Sequence, residues 1–313
     1  METIYINHPH EVTEMPSSVL ALGFFDGVHK GHQKVILTAK EEAEKRNCKS
    51  GVMTFFPHPK EVLRKGDGIK YLTSLKKKAE LIDSLGVDYL IIITFDHPFS
   101  ELNPQQFVDQ YLIDLNVQHV VAGFDYTYGR LGKGTMETLP FHSRNKITST
   151  TIAPVEDDGE KISSTRIRQA LRDGKMDEVN HLLGRRYETH GVVVKGEQRG
   201  RTIGFPTANV QPEEQTHLPA VGVYAVEGEM NGERFQGVCN IGFKPTFHND
   251  KPNEPTIEVH IFNFDKNVYG EEVTICWFSH LRGEKKFQSV DDLIKQIKLD
   301  VSHAREFFKN VHS

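Results

Sequence analysis

The chain has 313 residues, of which 37% are hydrophobic and 26% charged, so two ordinary globular domains with their own cores are expected. The formal charge of −5 gives no indication of a basic surface for binding nucleic acid. The sequence contains no apolar run of about 18 residues, so no membrane-spanning helix is expected, and its start does not resemble a signal peptide. Three cysteines without a CxxC pair favour a reducing cytoplasm.

The first half of the chain, residues 17–183, alternates short apolar runs with amphipathic helical patterns. The runs are continuously apolar, which is typical of parallel strands covered on both faces. Asn103 followed by Pro104 predicts the start of one of the helices between them. This alternation predicts a doubly wound α/β domain. Its predicted strands are residues 19–24, 52–55, 89–95 and 120–123.

A run of three lysines, residues 76–78, lies in one of these helical patterns. The apolar residues of that pattern include Leu75, Ala79 and Ile82, which share one face. We expect the lysines to lie on a solvated helix face, and the alternative is a patch that steers phosphates.

The second half, from about Tyr187, consists of short strand candidates separated by Gly and Pro. Asn231 and Gly232 lie between two of them and predict a tight hairpin turn. Ser289 and Asp292 begin a long helical pattern with one apolar face. We therefore predict an all-β module closed by a C-terminal helix, with domains at residues 1–184 and 185–313. The strand candidates are residues 190–195, 221–227, 234–241, 256–262 and 271–278.

The first chemical motif is G-F-F-D-G-V-H-K-G-H at residues 23–32, between the first predicted strand and a helix. Ligands bind at this carboxyl edge of open α/β sheets, and a helix start attracts anions. His29 and His32 fall on one side of the first turn, and Gly31 allows close approach of a phosphate. The pattern indicates stabilisation of a phosphate under attack. Capping histidines and a zinc site are the alternatives, although no further zinc ligands lie nearby.

This segment resembles the H-x-G-H motif of nucleotidyltransferases, and S-S-T-R-I-R at residues 163–168 resembles that family's second motif. Ser or Thr before a helix is by itself usually a cap, a role that Ser164 would also take. The resemblance implies that His29, His32 and Arg166 are catalytic. The residues that it implies for binding the phosphates of ATP are Gly23, Phe25, Asp26, Gly31, Ser163, Ser164, Thr165 and Arg168.

Two further loops follow predicted strands, F-P-H-P at residues 56–59 and G-F-D-Y-T-Y-G-R at residues 123–130. As turns after strands they fit a structural or a binding role equally well. Both resemble loops of the FMN adenylyltransferase half of bacterial bifunctional FAD synthetases, which implies flavin contacts by His58, Asp125 and Tyr126. The chain departs from that family at Phe24, where Asn is frequent, and at Tyr126 and Tyr128, where Phe is frequent.

The second chemical motif, residues 191–209, reads as a strand, a glycine-punctuated loop and a second short strand. It is no P-loop, because it contains no G-K-[ST]. Glycines at 196, 200 and 204 permit a loop that wraps an anion. Thr207 and Asn209 point to one side, where their oxygens would suit Mg²⁺ shared with phosphates. The alternative is a barrel corner with two polar edge residues.

This stretch resembles the riboflavin kinase signature G-R-x-x-G-F-P-T-A-N, and residues 240–247 and 282–287 resemble later segments of that family. Glu258 precedes V-H-I-F, as the family's catalytic Glu does, and faces away from Ile257 and Val259. The alternative for Glu258 is an ordinary solvent-facing strand residue. The implied roles are catalysis for Glu258, ATP binding for Gly196, Gly200, Arg201 and Gly204, Mg²⁺ binding for Thr207 and Asn209, and flavin binding for Phe205 and Arg282.

The resemblance covers roughly residues 17–310 and implies an α/β Rossmann-like nucleotidyltransferase domain followed by an all-β, six-stranded Greek-key barrel of the riboflavin kinase type with a C-terminal helix. It implies Mg²⁺-dependent phosphorylation of riboflavin to FMN and adenylylation of FMN to FAD, with ATP as co-substrate. We expect a cytoplasmic monomer or weak homo-oligomer whose partners are riboflavin, FMN, FAD and ATP. The alternatives are another H-x-G-H transferase fused to an unrelated β domain and a catalytically weak flavin-sensing regulator on the same fold.

Overall fold

The structure is a computed structural model that describes residues 1–12, 15–63, 68–196, 199–243 and 255–311. The chain divides into two compact units, Met1–Ser164 and Thr165–Ser313. The domain boundary predicted between residues 184 and 185 stays a prediction. None of the helices in the described residues combines the length and the apolarity that crossing a bilayer requires.

The first unit is built on a six-stranded parallel sheet with the strand order β1-β4-β3-β2-β5-β8. The predicted doubly wound α/β domain is therefore confirmed. Prediction missed the two edge strands, β1 and β8, because an edge strand of this sheet lacks the long buried run of a central one. The strands are β1 (Glu2–Ile6), β2 (Ser18–Leu22), β3 (Lys49–Phe56), β4 (Tyr89–Thr94), β5 (Val117–Gly123), β6 (Thr127–Tyr128), β7 (Gly134–Thr135), β8 (Thr148–Ile152), β9 (Glu156–Asp157) and β10 (Glu160–Lys161).

Helices of the first unit begin where the sequence signals predicted them. Asn103 forms a capping box with Gln106, and Pro104 is the first helical residue. A π-helical turn, Asp109–Ile113, continues that helix, and a 3₁₀ turn covers Arg130–Gly132. The α-helices are α1 (Lys30–Arg46), α2 (Pro59–Leu63), α3 (Leu75–Asp83), α4 (His97–Ser100), α5 (Pro104–Val108) and α6 (Leu139–His142).

Two hydrophobic cores cover the two faces of the sheet. Val19 and Ala21 point into the core that α1 and α3 close, whereas Leu20 and Leu22 point into the core that α5 and its π-helical turn close. Alternate residues of β2 thus bury opposite faces, as expected for a strand between two helical layers.

The lysine run on α3 is not a uniform solvated face. Lys76 is exposed and Lys77 is half-buried, but Lys78 is only 1% exposed. The prediction is therefore wrong for Lys78, since position 78 is close to one helical turn from Leu75 and Ile82 and falls on the buried side.

The second unit is a closed, antiparallel six-stranded barrel with the strand order β11-β12-β15-β14-β13-β16. Three consecutive strands pair as neighbours and β12 lies beside the last of them, so the predicted Greek-key barrel is confirmed. Its elements, in chain order, are α7 (Ser164–Arg172), α8 (Met176–Leu183), β11 (Tyr187–Val194), α9 (Arg199–Thr202), β12 (Ala208–Pro212), β13 (Gly222–Met230), β14 (Glu233–Phe243), β15 (Pro255–Ile261), β16 (Glu272–Arg282) and α10 (Val290–Val311).

The last helix, α10, covers part of the outer face of the barrel. The hydroxyl of Ser289 accepts a hydrogen bond from the N–H of Asp292 at 3.1 Å, which confirms the predicted helix start. Ala304 and Phe308 pack against strand residues that include Val223. The side chains that share a face with Val223 therefore lie on the outer face of the barrel.

Candidate active sites

The order of the parallel sheet reverses between β2 and β5, which are paired with Leu22 opposite Ala122. Gly23 and Gly123 come next in the two strands, so the chain leaves the sheet at neighbouring points. Open α/β sheets bind ligands in the crevice at such a reversal. The two predicted motif loops that begin at residues 23 and 123 thus start side by side at the edge where a ligand is expected.

The loop after β2 presents two histidines at the start of α1. His29 is the N-cap, and its Nδ1 accepts a hydrogen bond from the N–H of His32 at 3.2 Å. The two imidazole rings are stacked with centroids 3.6 Å apart. Because Nδ1 of His29 acts as an acceptor, the neutral ring carries its proton on Nε2, which can donate to an anion. An added Cβ at Gly31 would lie 3.2 Å from the His29 ring, so a side chain there would crowd it.

The backbone of this loop is strained. Phe25, Gly27 and Val28 all have positive φ, at 55°, 85° and 40°. Positive φ is rare for a β-branched residue such as Val28, and costs of about 1–3 kcal/mol persist only where surrounding structure enforces the conformation. Contacts with the surrounding structure therefore hold the loop in a backbone conformation that Phe25 and Val28 would not adopt by themselves.

Asp26 lies at the centre of this loop and is 2% exposed. Its carboxylate accepts hydrogen bonds from the backbone N–H groups of Leu72 at 3.0 Å and Thr73 at 3.2 Å. The hydroxyl of Ser164 donates to the carbonyl of Asp26 at 2.9 Å, which joins the two sequence motifs within the first unit. Ser164 was expected as a cap, but it is the first residue of α7.

Two arginines of the second motif lie on α7 within the second unit. Nε of Arg166 donates to Oε1 of Glu178 on α8 at 2.9 Å. Arg168 is half-buried on the same helix, and Thr165 is exposed. The catalytic role of Arg166 and the phosphate-binding role of Arg168 stay predictions.

The loop after β3 brings an aromatic group to the same edge of the sheet. The rings of His58 and Phe24 lie 4.3 Å apart, and the N–H of His58 donates to the hydroxyl of Tyr71 at 2.9 Å. Tyr71 in turn donates to the carboxylate of Glu61. Burial raises the pKa of Tyr71, so its hydroxyl stays protonated and can maintain this chain of hydrogen bonds.

The loop after β5 carries an exposed ion pair. The carboxylate of Asp125 is 2.5 Å from Nζ of Lys161, which also lies 4.5 Å from the centre of the Phe124 ring. The hydroxyl of Tyr126 is buried and has no hydrogen-bond partner among the described residues. Sequence reasoning missed Lys161, because nothing local shows that it meets a residue 36 positions earlier.

In the barrel, one row of polar residues crosses the strands. Glu258 on β15 is paired with Asn209 on β12 and with Asn240 on β14. The pairing continues from Asn240 to Val223 and from Val223 to Arg282. Directly paired residues face the same side of a sheet. The row therefore lies on the outer face, and the predicted orientation of Glu258 away from the buried residues of its strand is confirmed.

The glycine-punctuated loop lies directly against this row. An added Cβ at Gly196 would come 2.2 Å from Nδ2 of Asn209, and one at Gly200 would come 3.5 Å from Oγ1 of Thr207. Residues Arg199–Thr202, expected as loop, form one helical turn, and Gly204 follows it with a φ of 84°. At Gly196 the loop thus approaches Asn209 more closely than any side chain would permit. At Gly200 a side chain is excluded by the carbonyl oxygen of Phe205, which would lie 2.2 Å from the added Cβ.

The donor set at this place fits a hard cation. Thr207 and Asn209 supply a hydroxyl and an amide oxygen, and the paired Glu258 adds a carboxylate nearby. Within the described residues, no group of three His, Cys, Asp or Glu side chains is placed to hold a metal ion. A cation at Thr207 and Asn209 would be held by two neutral oxygens and by the phosphates that it accompanies, with the carboxylate of Glu258 nearby.

Two predicted flavin contacts flank the row. The ring of Phe205 lies 5.4 Å from that of His260, whose Nδ1 is 2.9 Å from the carbonyl of Pro206. Arg282 forms a two-pronged ion pair with Asp300 of α10, with Nε at 2.9 Å and a terminal nitrogen at 2.8 Å. Arg201 is exposed, and residues 245–247 of the third predicted segment lie outside the described residues.

Comparison with known proteins assigns both halves. The FAD synthetase family model matches residues 11–166, and the riboflavin kinase model matches residues 183–308. The chain is 48% identical to the bifunctional riboflavin kinase/FMN adenylyltransferase of Bacillus subtilis over 314 residues, which cover 99% of each chain. The Escherichia coli protein of the same name is 37% identical over 306 residues, or 96% of each chain. The chain belongs to the bifunctional riboflavin kinase/FMN adenylyltransferase family.

The chain is also similar to a solved structure. A crystal structure described as a macrolide-efflux protein from Streptococcus pneumoniae has a TM-score of 0.88 and 38% identity, with coverage of 95% of this chain and 97% of that one. The family membership confirms the resemblance seen in the motifs. It also rules out the alternative of another H-x-G-H transferase fused to an unrelated β domain, because the riboflavin kinase match falls on the barrel.

Proposed function

We propose that the chain is a bifunctional enzyme of flavin cofactor biosynthesis, which phosphorylates riboflavin to FMN and adenylylates FMN to FAD. The observation that carries the proposal is the similarity along 99% of the chain to a relative of that name, with both predicted motif sets present. No observation favours the regulator alternative.

The phosphorylation step belongs to the barrel. Glu258 accepts the proton of the riboflavin 5′-hydroxyl as that oxygen attacks the γ-phosphorus of ATP, and ADP leaves with the electron pair of the broken bond. Thr207 and Asn209 would hold Mg²⁺, which neutralises charge on the phosphate oxygens. Gly196 and Gly200 keep the loop close to these two ligands, and Arg201 and Gly204 extend its contact with the nucleotide.

The adenylylation step belongs to the first unit. A phosphate oxygen of FMN attacks the α-phosphorus of ATP in line, and pyrophosphate leaves. His29 and His32, together with the N–H groups at the start of α1, stabilise the charge that builds up on the phosphate. Asp26 would support this by holding the loop, because its carboxylate accepts two backbone N–H groups, and its place in the ATP phosphate site rests on the family motif.

Flavin contacts are proposed at both centres. In the first unit they are His58, whose ring lies against Phe24, and the residues Asp125 and Tyr126 of the neighbouring loop. In the barrel they are Phe205 and Arg282. The ATP phosphate contacts of Gly23, Phe25, Gly31, Ser163, Thr165 and Arg168 rest on the family motifs, as does the role of Arg166. We also propose a cytoplasmic location and a monomer or weak homo-oligomer without nucleic-acid partners.

One incubation tests both steps. The full chain with riboflavin, ATP and Mg²⁺ should yield FMN and then FAD, separated by chromatography, and omission of ATP should yield neither. Absence of FMN would overturn the kinase assignment. FMN without FAD, also when FMN is supplied directly with ATP, would overturn only the adenylyltransferase assignment.

A further inference from the structure

The buried lysine of α3 has no role in the proposed chemistry, and its surroundings are unusual. Nζ of Lys78 donates to the carbonyl of Phe24 at 2.8 Å and lies 4.2 Å from the centre of the Phe24 ring. The hydroxyl of Thr54 donates to the same carbonyl at 2.9 Å. Both lone pairs of this carbonyl are therefore satisfied by side chains from two different elements, β3 and α3.

Phe24 begins the strained loop that carries His29 and His32. The segment of residues 72–78 holds this loop at further points: the N–H groups of Leu72 and Thr73 bind the carboxylate of Asp26, and the N–H of Gly27 donates to the hydroxyl of Thr73 at 3.2 Å. A single short segment thus holds three consecutive parts of the loop, at residues 24, 26 and 27.

An ammonium group is a costly means of holding one carbonyl. Burial lowers the pKa of Lys78 to about 8, and the carboxylate of Asp26 acts in the opposite direction. A neutral donor would hold the carbonyl without this cost, since Thr54 already does so. A positive charge beneath a loop that receives a triphosphate is, by contrast, favourable once the phosphates are bound.

We propose that Lys78 and Thr54 are positioning residues for adenylyl transfer: together they fix the carbonyl of Phe24 and so hold the loop that presents His29 and His32 to the nucleotide. This inference rests on the proposed adenylyltransferase function of the first unit. It assigns no contact between Lys78 and substrate. The ammonium acts through the backbone, by its hydrogen bond to the carbonyl of Phe24.

The test uses the full chain. Kinase activity is the control for the barrel, and circular dichroism with thermal unfolding shows whether the first unit of each variant is folded. Lys78→Met removes the charge and the donor at nearly constant size. Lys76→Met, on the exposed side of the same helix, is the matched control. We expect Lys78→Met to lower kcat for FAD formation from FMN at least about 10-fold, because misplacement of reacting groups acts on the transition state. KM for FMN and the rate of FMN formation should stay within about twofold of the wild type, as should all rates of Lys76→Met.

A second pair of variants covers the case in which the first unit of Lys78→Met does not fold, shown by loss of its circular dichroism signal and of its thermal transition. Thr54→Val removes the other donor to the Phe24 carbonyl, and Thr54→Ser keeps the hydroxyl. FAD formation should fall in Thr54→Val and recover in Thr54→Ser, a rescue that simple loss of packing at this buried position does not produce, because Val fills the space better than Ser.

The reference variant His29→Asn separates this inference from the function on which it rests. Asn retains the N-cap but removes the imidazole. If His29→Asn loses FAD formation while a folded Lys78→Met stays within about twofold of the wild type, the positioning role is wrong. Where Lys78→Met does not fold, the same conclusion follows if Thr54→Val stays within about twofold of the wild type. If His29→Asn keeps full FAD formation, the adenylyltransferase site itself is misassigned.

Discussion

Asn209 on β12 is paired directly with Glu258 on β15, so an amide and a carboxylate lie side by side on the outer face of the barrel. Asn240 of β14 is paired with Glu258 on the other side. A carboxylate between two amides, beneath a glycine loop, is suited to accept a proton from an alcohol beside a bound nucleotide.

Glu258→Gln should lower FMN formation by about 100-fold or more, since general-base catalysis contributes on this scale. FAD formation from supplied FMN should stay within about twofold of the wild type. Glu229→Gln, an exposed carboxylate on another strand of the barrel, is the control and should change neither rate. Equal loss of both activities in Glu258→Gln would argue against separate centres.

Gly196→Ala should disturb the proposed Mg²⁺ ligands. The added Cβ would come 2.2 Å from Nδ2 of Asn209, which is only 8% exposed, so the amide would have to shift within a buried site. We expect the rate of FMN formation at fixed ATP and Mg²⁺ to fall about 10-fold or more, measured against FAD formation in the same preparation. Gly68→Ala, at an exposed glycine of the first unit where an added Cβ meets nothing within 4 Å, serves as the control. Unchanged FMN formation in Gly196→Ala would contradict the proposed role of the loop.

Asp300→Asn should destabilise the second unit. Asp300 is 3% exposed and accepts two hydrogen bonds from Arg282 and one from Gln296. Loss of one partner of such a pair costs roughly 3 kcal/mol, to be measured as a fall in the free energy of unfolding. The exposed pair of Lys266 with Glu233 provides the comparison, and Lys266→Met should cost less than about 1 kcal/mol. A loss for Asp300→Asn as small as that of the exposed pair would show that the two-pronged pair is not maintained in solution.

A fragment that begins at residue 165 should be more stable than one that begins at residue 187, although both contain all the described kinase motifs. The side chain of Asn180 donates to the carbonyl of Trp277 at 3.0 Å and accepts from the N–H of Tyr187 at 2.7 Å. The N–H of Ala220 donates to the carbonyl of Leu171 at 2.9 Å. These contacts tie α7 and α8 to the barrel. Thermal unfolding of the two fragments, with FMN formation as the activity check, measures the difference, and equal midpoints would contradict it.

Stability should depend on pH through Lys78. Its pKa is lowered to about 8 in the folded chain from the ordinary 10.5, so the unfolded chain binds more protons between these values. Below pH 8 the folded chain bears the full cost of burying the charge, on the order of 3 kcal/mol. As the pH increases from about 8, this cost falls and the free energy of unfolding rises. The free energy of unfolding of the wild type relative to Lys78→Met should thus rise between pH 7 and pH 9.5. A flat difference would show that Lys78 titrates normally.

Much of the fold and of both candidate sites could be predicted from local patterns. The continuous apolar runs predicted the central strands, and Asn103 followed by Pro104 predicted a helix start. The alternation around Glu258 predicted its outward orientation. The position of the first motif after an apolar run predicted that His29 and His32 lie at the start of a helix that follows a strand. Each of these features depends on residues a few positions apart.

Long-range partners could not be predicted in this way. The lysine run predicted a solvated surface, yet Lys78 is buried against a carbonyl 54 positions away. Nor did any local pattern predict that Asp125 pairs with Lys161, 36 positions later, and the contact of Asp125 with flavin stays a prediction. Whether a charged side chain is buried, and which charge lies beside it, depends on how helices and strands pack together. Short-range sequence patterns carry no information on that packing.

The sequence by itself determined the class of each half, the order of its elements and the residue types available for phosphate chemistry. These follow from periodicity, turn residues and motif spacing, which are patterns among residues a few positions apart in the sequence. Only the tertiary structure decided that Asn209, Glu258 and Asn240 form one row and that Thr54 and Lys78 share the carbonyl of Phe24. The reason is physical: strand register and helix packing result from the burial of apolar surface over the whole unit, and that burial brings together side chains with no local signal of their meeting.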